Sequence, residues 1–237
     1  MPDAVSVALF ATVAIAAFIQ GASGIGFAMI TAPVFAFLAP ELLPGCLLAL
    51  MLPLNAYVAW QERGAIDRLG ARWITYGRVF GAVGGAGVLL LLSAKTLAVA
   101  VGLTTLLATF LSICAPAFKP TSRAFAAAGF ATGITETTTG IGGPPLALVY
   151  QHEEPATLRS TIAFCFLIGE LMSLALLAVT GRPIVEHLLA TAALVPAVAL
   201  GIALSRQVRH RVDAPALRIF VLAFSALSGA VLIVHAL

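Results

Sequence analysis

Charged side chains are scarce in this sequence. Asp, Glu, Lys and Arg make up 10% of the 237 residues, whereas soluble domains average about a quarter. Hydrophobic residues make up 61%, and the mean hydropathy is +1.06. This composition excludes an ordinary soluble domain and predicts a membrane protein.

Cysteines and N-terminal basic residues are also few. The three cysteines lie singly in apolar runs without a C-x-x-C pair, which argues against disulfide and metal roles. Asp3 is the only charged residue before the first apolar run, so a cleaved signal peptide, which needs a positive start, is not expected. The net charge of +3 comes from short loops, which is typical of membrane topology signals and not of a nucleic-acid partner.

Apolar runs of about 20 residues, the length that crosses a bilayer core, recur along the whole chain. They predict an all-α, polytopic transmembrane protein in which residues 1–237 form a single transmembrane domain. Two longer apolar segments, 4–39 and 124–150, are interrupted by glycine and polar residues. The uninterrupted runs cover residues 42–60, 73–94, 96–114, 160–180, 187–205 and 219–237.

The two halves of the chain share one rhythm, a broken apolar segment followed by three plain spans. A shift of 116 residues places Gly24 and Gly26 on Gly140 and Gly142. We therefore predict two four-segment repeats, residues 1–116 and 120–237. If each broken segment is a hairpin, each repeat has three crossings, and an odd number inverts the second repeat relative to the first.

The distribution of Lys and Arg indicates whether segment 124–150 crosses the membrane. If it crosses, the loops on each side carry six basic residues; if it returns as a re-entrant hairpin, ten lie on one side and two on the other. The second arrangement obeys the positive-inside rule. No basic residue precedes segment 4–39, so the count does not test it, and its hairpin shape is inferred from the internal repeat. If both segments are hairpins, the two tips are expected to meet near the membrane centre. The loops predicted to be cytoplasmic are 61–72, 115–123, 151–159 and 206–218.

Each broken segment has a tip that could bind a small anion. Glycines expose backbone N–H groups, and positive φ values let successive N–H groups converge on an anion. The half-helix that follows points its positive dipole end at the same place. The alternative is that the glycines only allow close helix packing. The predicted binding residues are Gln20, Ser23, Gly24 and Gly26 in the first tip, and Thr135, Thr137, Thr138, Thr139, Gly140, Gly142 and Gly143 in the second.

Four polar or charged residues lie at predicted membrane depth, where they are costly and therefore indicate a function or a partner. Glu136 and Glu170 are the candidates to carry a proton. Asn55, one position from the repeat mate of Glu170, is predicted to flank the two tips together with Glu170, from opposite sides. An ion pair between Arg78 and a glutamate is the structural alternative, whereas the favoured interpretation of Arg78 is a side chain that extends to the membrane surface.

The second tip and its flanks resemble a known family. The stretch TGIGGPPLALVY at 139–150, the arginine that follows at Arg159 and the layout of four plus four segments are similar to the TauE/SafE sulfite exporters. The resemblance implies a carrier in the bacterial inner membrane that moves sulfite, sulfonates or other small organic anions, often outward. The first copy of the motif, at 24–28, lacks the third glycine.

These observations predict a secondary transporter of a small anion, an exporter by resemblance, with proton coupling left open. An anion channel with a fixed pore and a non-transporting membrane scaffold are the alternatives. The G-x-S-G form of residues 21–24 suggests a serine protease, but that chemistry needs a histidine at the depth of Ser23, and the four histidines lie in loops or at span ends. We therefore expect no enzyme activity and no cofactor; the expected partners are the anion, the lipid bilayer and, as an open alternative, a second copy of the chain.

Overall fold

Ten α-helices account for almost all of the chain in the computed structural model, which describes residues 2–23, 26–114, 120–179, 184–208 and 214–236. All regular structure within these ranges is helical. The helices are α1 (Pro2–Ser23), α2 (Phe27–Leu38), α3 (Gly45–Gln61), α4 (Arg68–Leu91), α5 (Ala94–Cys114), α6 (Ser122–Thr139), α7 (Gly143–Tyr150), α8 (Pro155–Val179), α9 (Ile184–Val208) and α10 (Ala214–Ala236). Helices α1, α4, α5, α8, α9 and α10 are long and apolar enough to cross a membrane, which confirms the predicted polytopic fold.

The plain apolar runs and the two broken segments appear where the sequence places them. The six plain runs become α3, α4, α5, α8, α9 and α10, with ends that agree to within a few residues. The broken segments become α1 with α2 and α6 with α7. Gly26 and Gly140 lie at the two breaks with φ values of 129° and 80°, a region in which a side chain is disfavoured.

Helix α7 folds back along α6. The Thr132 hydroxyl on α6 donates a hydrogen bond to the Gly142 carbonyl at 3.1 Å. The rings of Phe125, near the start of α6, and Tyr150, at the end of α7, are 5.3 Å apart. The chain therefore enters and leaves on one side, in agreement with the hairpin that the Lys and Arg distribution predicts for segment 124–150.

Segment 4–39 also doubles back. Helix α1 runs alongside α9 in the same direction, because Gly201 packs on Ala14 and Ser205 packs on Gly21. After the break and α2, the Glu41 carbonyl lies 2.8 Å from Nε2 of His187, near the first turn of α9. The chain thus follows α9 towards its C-terminal end and then returns to its N-terminal end.

The helices of the two halves pack in corresponding pairs. Helix α1 packs on α9 as α6 packs on α4, and α3 packs on α9 as α8 packs on α4. Helix α3 also packs on α8, and α5 on α10. The helices correspond in chain order, α1 with α6, α2 with α7 and so on to α5 with α10. If each helix is exchanged for its counterpart, the same set of packed pairs results. The pairing is consistent with two related repeats, and the division at 116–120 and the inversion remain predictions.

Glycines join α4 to α6 so closely that their backbones touch. A Cβ atom on Gly77 or Gly81 would collide with the backbone of Ala126 or Phe130, and one on Gly129 would collide with the Ile74 carbonyl. Small residues that allow backbone contact are the usual glue between membrane helices. This contact fixes the second hairpin on α4.

Three contacts bring several basic segments to the same end of the bundle, which we call the basic end. Arg159 forms an ion pair with Glu62, and the Tyr150 hydroxyl donates to Asp67 Oδ2 at 2.9 Å. The guanidinium of Arg206 lies 5.7 Å from the centre of the Tyr57 ring. Loops 61–68 and 150–159 and the end of α9 therefore share one side of the molecule, as the positive-inside count predicts; Lys119, Arg209 and Arg211 of the same predicted group lie outside the described residues.

Candidate functional site

The second tip is a tight turn whose backbone N–H groups are partly used. The N–H of Gly140 donates to the Glu136 carbonyl at 2.8 Å, and the N–H of Ile141 donates to the Thr139 hydroxyl at 3.3 Å. Of the three glycines expected to reach positive φ values, only Gly140 does so; Gly142 has φ −125°. The reason is local, because α6 ends with a single left-handed residue and α7 begins directly at Gly143, with a proline in its first turn.

The threonine hydroxyls of α6 are bound within the protein. The hydroxyl groups of Thr137 and Ser173 on α8 are 2.7 Å apart. Thr138 donates to the Gly85 carbonyl on α4 at 3.1 Å. Thr139 and Thr135 donate to carbonyls one turn earlier in α6. In this conformation the hydroxyls hold the tip to α4 and α8, and their predicted role as donors to a ligand remains a prediction.

Gly142 lies where α7 presses against α6 and α8. A Cβ atom here would lie 2.9 Å from Thr132 Cγ2, 3.0 Å from Glu136 Cβ and 3.1 Å from Phe166 Cε1. Distances this short require the neighbours to shift. Close approach of helices is therefore one role of this glycine, whatever it binds.

The first tip is closed by a glutamine. Gln20 Oε1 accepts a hydrogen bond of 2.9 Å from the backbone N–H of Phe27. This bond satisfies one of the unpaired N–H groups at the start of α2. Gly26 precedes α2, and Ser23 is the last residue of α1. The side chain of Ser23, and Gly24 as a whole, lie outside the described residues.

The two tips do not meet at the membrane centre, and that prediction is wrong. Gly140 in the second tip packs on Leu47 near the start of α3. Gln20 in the first tip shares a cavity with Tyr57, near the end of α3. Ten residues of helix separate these levels by about 15 Å. Helix α1 has 22 residues, about 33 Å, so it carries its tip past the centre to the basic end.

A buried arginine lies between the second hairpin and α8. Arg78 is 1% exposed and forms an ion pair with Glu136. Its Nη1 donates to the Cys165 carbonyl at 3.1 Å, and its guanidinium lies 5.4 Å from the centre of the Phe166 ring. The interpretation of Arg78 as a side chain at the membrane surface is therefore wrong, and the ion-pair alternative is confirmed. Gly169 makes the room, since a Cβ atom there would collide with the guanidinium.

Glu170 follows Gly169 and is wholly buried. Its Oε1 accepts a hydrogen bond of 2.6 Å from Asn55 Nδ2 on α3, so the two residues expected to flank the tips from opposite sides contact each other directly. Its Oε2 has no hydrogen-bond partner within the described ranges. We call Asn55, Arg78, Glu136 and Glu170 the charge cluster.

The charge cluster contains two carboxyl groups and one guanidinium. If both Glu136 and Glu170 are ionised, one negative charge is left without a counterion in a buried site. An uncompensated buried charge is strongly unfavourable, and such a group binds a proton or a counterion instead. Since Glu136 is paired with Arg78, Glu170 is the carboxyl group of the cluster without an ion pair among the described residues, and its predicted role as a proton carrier remains a prediction.

A small cavity opens at the basic end beside the first tip, with a volume of about 30 Å³. This is room for about two water molecules. The sequence predicted only Gln20 of its lining residues as part of a binding site, and Arg159 was noted only as part of the family resemblance. The lining residues are Gln20, Gly21, Leu54, Tyr57, Val58, Gln61, Glu62, Arg159, Ile202, Ser205 and Arg206.

Comparison with known proteins gives one match. A family model described as the sulfite exporter TauE/SafE matches residues 9–232, nearly the whole chain. No curated protein and no solved structure matches the sequence. The matched region includes both hairpins, the charge cluster and the cavity at the basic end.

Proposed function

The chain belongs to the TauE/SafE sulfite exporter family, a transporter family, and on this premise we propose that it exports a small oxyanion, sulfite or a sulfonate, together with a proton. The observation that carries the proposal is the charge cluster. Arg78, Glu136 and Glu170 are buried and are contributed by α4, α6 and α8. They comprise two carboxyl groups and one guanidinium, so one carboxyl group has no positive charge to neutralise it.

Proton binding at Glu170 and anion binding support one another. The charge cluster is neutral when Glu170 is protonated and carries one negative charge when it is ionised. A nearby anion is repelled by the ionised form, so each ligand raises the affinity for the other. Asn55, which holds Glu170, is next in the chain to Leu54 on the wall of the cavity. The chain thus links the partner of this carboxyl group directly to the wall of the cavity, which supports coupling between the two sites.

Coupling of this kind is compatible with export. A doubly charged anion that moves with one proton carries one net negative charge. An inside-negative potential of 100 mV favours its outward movement by about 2.3 kcal/mol. We place the protein in the bacterial inner membrane with the basic end in the cytoplasm, in accord with the positive-inside rule, so that the anion is loaded from the arginine-rich side.

Flux through the purified full chain in proteoliposomes tests the proposal. We expect saturable uptake of radiolabelled sulfite that responds to an imposed pH gradient, with competition by short alkyl sulfonates. Ohmic single-channel current without saturation would replace the carrier with a channel. An absence of flux for sulfite and for every sulfonate tested would leave a non-transporting membrane protein and overturn the proposal.

A further inference from the structure

The cavity at the basic end has an excess of positive charge. Arg159 and Arg206 line it, and Glu62 is the only acidic residue among the described residues of its wall. Glu62 is paired with Arg159. Within the described ranges, no carboxylate lies within ion-pair distance of Arg206. The cavity therefore attracts anions even with Glu62 in place.

Two polar groups in the same wall have donors to offer a ligand. The Tyr57 hydroxyl is buried and has no hydrogen-bond partner within the described ranges. Gln20 is 7% exposed, and its Oε1 accepts from Phe27, which leaves the amide nitrogen for the cavity. A buried hydroxyl without a partner costs free energy, and a bound oxyanion would remove that cost for Tyr57.

The geometry of the ion pair indicates which ligand would fit. Arg159 Nε donates to Glu62 Oε2 at 3.2 Å, and its Nη2 donates to Oε1 at 2.5 Å. Two parallel bonds from one guanidinium require an acceptor with two oxygens side by side. Sulfite, sulfonate and carboxylate groups all have such a pair, whereas a halide does not.

We propose that this cavity is the loading site for the transported oxyanion, and that the oxyanion binds by taking the place of Glu62 on Arg159. The inference rests on the proposed function and names its first binding step. Glu62 then acts as a tethered competitor that keeps the site closed when no anion is present. Tyr57, Gln20 and Arg206 contact the anion once it has entered.

The position of Glu62 suits this exchange. It directly follows α3, with φ −113° and ψ 26°, so its side chain can rotate away from Arg159 without unwinding α3. Its side chain is 19% exposed and that of Arg159 is 29% exposed, so both groups can be reached from water. With Glu62 in place the cavity has a volume of about 30 Å³, and in the proposed exchange the oxyanion takes the space that the Glu62 carboxylate leaves beside Arg159.

Binding of radiolabelled sulfite to the purified full chain, measured beside flux, tests the exchange. We expect Glu62→Gln to tighten sulfite binding about three- to tenfold, because it removes a competing charge from a partly exposed pair. Arg159→Lys keeps the charge but loses the two-point geometry, and we expect it to weaken binding about tenfold. The matched control is Arg63→Gln, because Arg63 follows Glu62 in the chain but lies over the Trp60 ring, 4.5 Å from its centre; its binding should stay within about twofold of the parent protein.

The outcomes separate this inference from the proposed function. If sulfite is bound and transported but neither Glu62→Gln nor Arg159→Lys changes binding, the loading site is elsewhere and the inference is overturned. If the variants change binding as expected but no flux is measured, the site is supported and the transport proposal fails. If the parent protein neither binds nor transports sulfite or a sulfonate, both fail. Size-exclusion profiles that match the parent show that each variant is folded.

Discussion

Asn55 on α3 donates a hydrogen bond to Glu170 on α8, with 2.6 Å between Nδ2 and Oε1. The two residues are 115 positions apart, one less than the shift that superposes the two halves of the chain. They join the helices that would lie nearest to an axis relating two repeats, since α3 and α8 pack on each other. A wholly buried carboxyl group is thus held at the contact between the halves.

Replacing Glu170 with Gln tests whether this carboxyl group carries the proton. Glutamine keeps an oxygen for Asn55 and removes the ionisable group. If one proton moves with each anion, a pH gradient of one unit changes the limiting accumulation ratio of the parent protein about tenfold. We expect the ratio for Glu170→Gln to be independent of the gradient, measured with radiolabelled sulfite in proteoliposomes.

The control for this variant is Glu41→Gln, at an exposed carboxyl group in the connection after α2. Its flux should retain the full response to pH. A Glu170→Gln protein with the same pH response as the parent would exclude Glu170 as the coupling group, and Glu136 would then be the carboxyl group to test.

Replacing Arg78 with Met tests the stability of the charge cluster. The variant leaves Glu136 buried without its partner, and breaking a buried pair on one side costs about 3–5 kcal/mol. We expect the midpoint of unfolding in detergent to fall accordingly. The double variant Arg78→Met/Glu136→Gln removes both charges and should recover part of the loss. A double variant less stable than the single one would show that Glu136 is not the main partner of Arg78.

The α4–α6 contact offers a prediction with a control on the same helix. A Cβ atom on Gly81 would collide with the Phe130 carbonyl, which is backbone and cannot turn aside, whereas one on Gly87 meets nothing within 4 Å. We expect Gly81→Ala to lose about 1–3 kcal/mol through overpacking, and Gly87→Ala to be neutral or to gain up to about 1 kcal/mol from helix propensity. Thermal unfolding in detergent compares them. Equal losses would mean that α4 and α6 are not in backbone contact.

The features that the sequence could predict depend on neighbours in the chain or on simple counts. Apolar length sets the helices, and the glycines at 26 and 140 mark the breaks. The hairpin of 124–150 followed from counting arginines and lysines, because a segment that returns changes the side of every later loop. The internal shift singles out Asn55 and Glu170, which no local pattern could connect, but it places them on opposite sides of the tips and does not predict their direct hydrogen bond.

The features that the sequence could not predict depend on the rotation of each helix about its axis and on its depth in the bundle. Arg78 looks like a surface residue by its position along α4, yet the rotation of α4 turns it towards α8, where Gly169 leaves space. The depth of the first tip depends on the residue at which α1 ends, and the sequence does not mark that residue clearly. The cavity at the basic end draws its lining from four helices and the connection after α3, so no single motif contains it.

Cysteine labelling tests both the hairpin and the orientation of the chain. The background needs Cys114→Ala, because Cys114 is exposed and Cys46 and Cys165 are buried. Single cysteines replace Gly64 and His152, which are exposed at the basic end, and Ala94, which is exposed at the opposite end. In intact cells we expect an impermeant maleimide to label Ala94→Cys alone, and Gly64→Cys and His152→Cys to react only after permeabilisation.

Labelling of Gly64→Cys and His152→Cys from outside, with Ala94→Cys protected, would keep the hairpin and reverse the orientation, so that the arginine-rich cavity would face outward. Labelling of Gly64→Cys and His152→Cys from opposite sides would mean that residues 124–150 cross the bilayer, and the second hairpin would then be wrong.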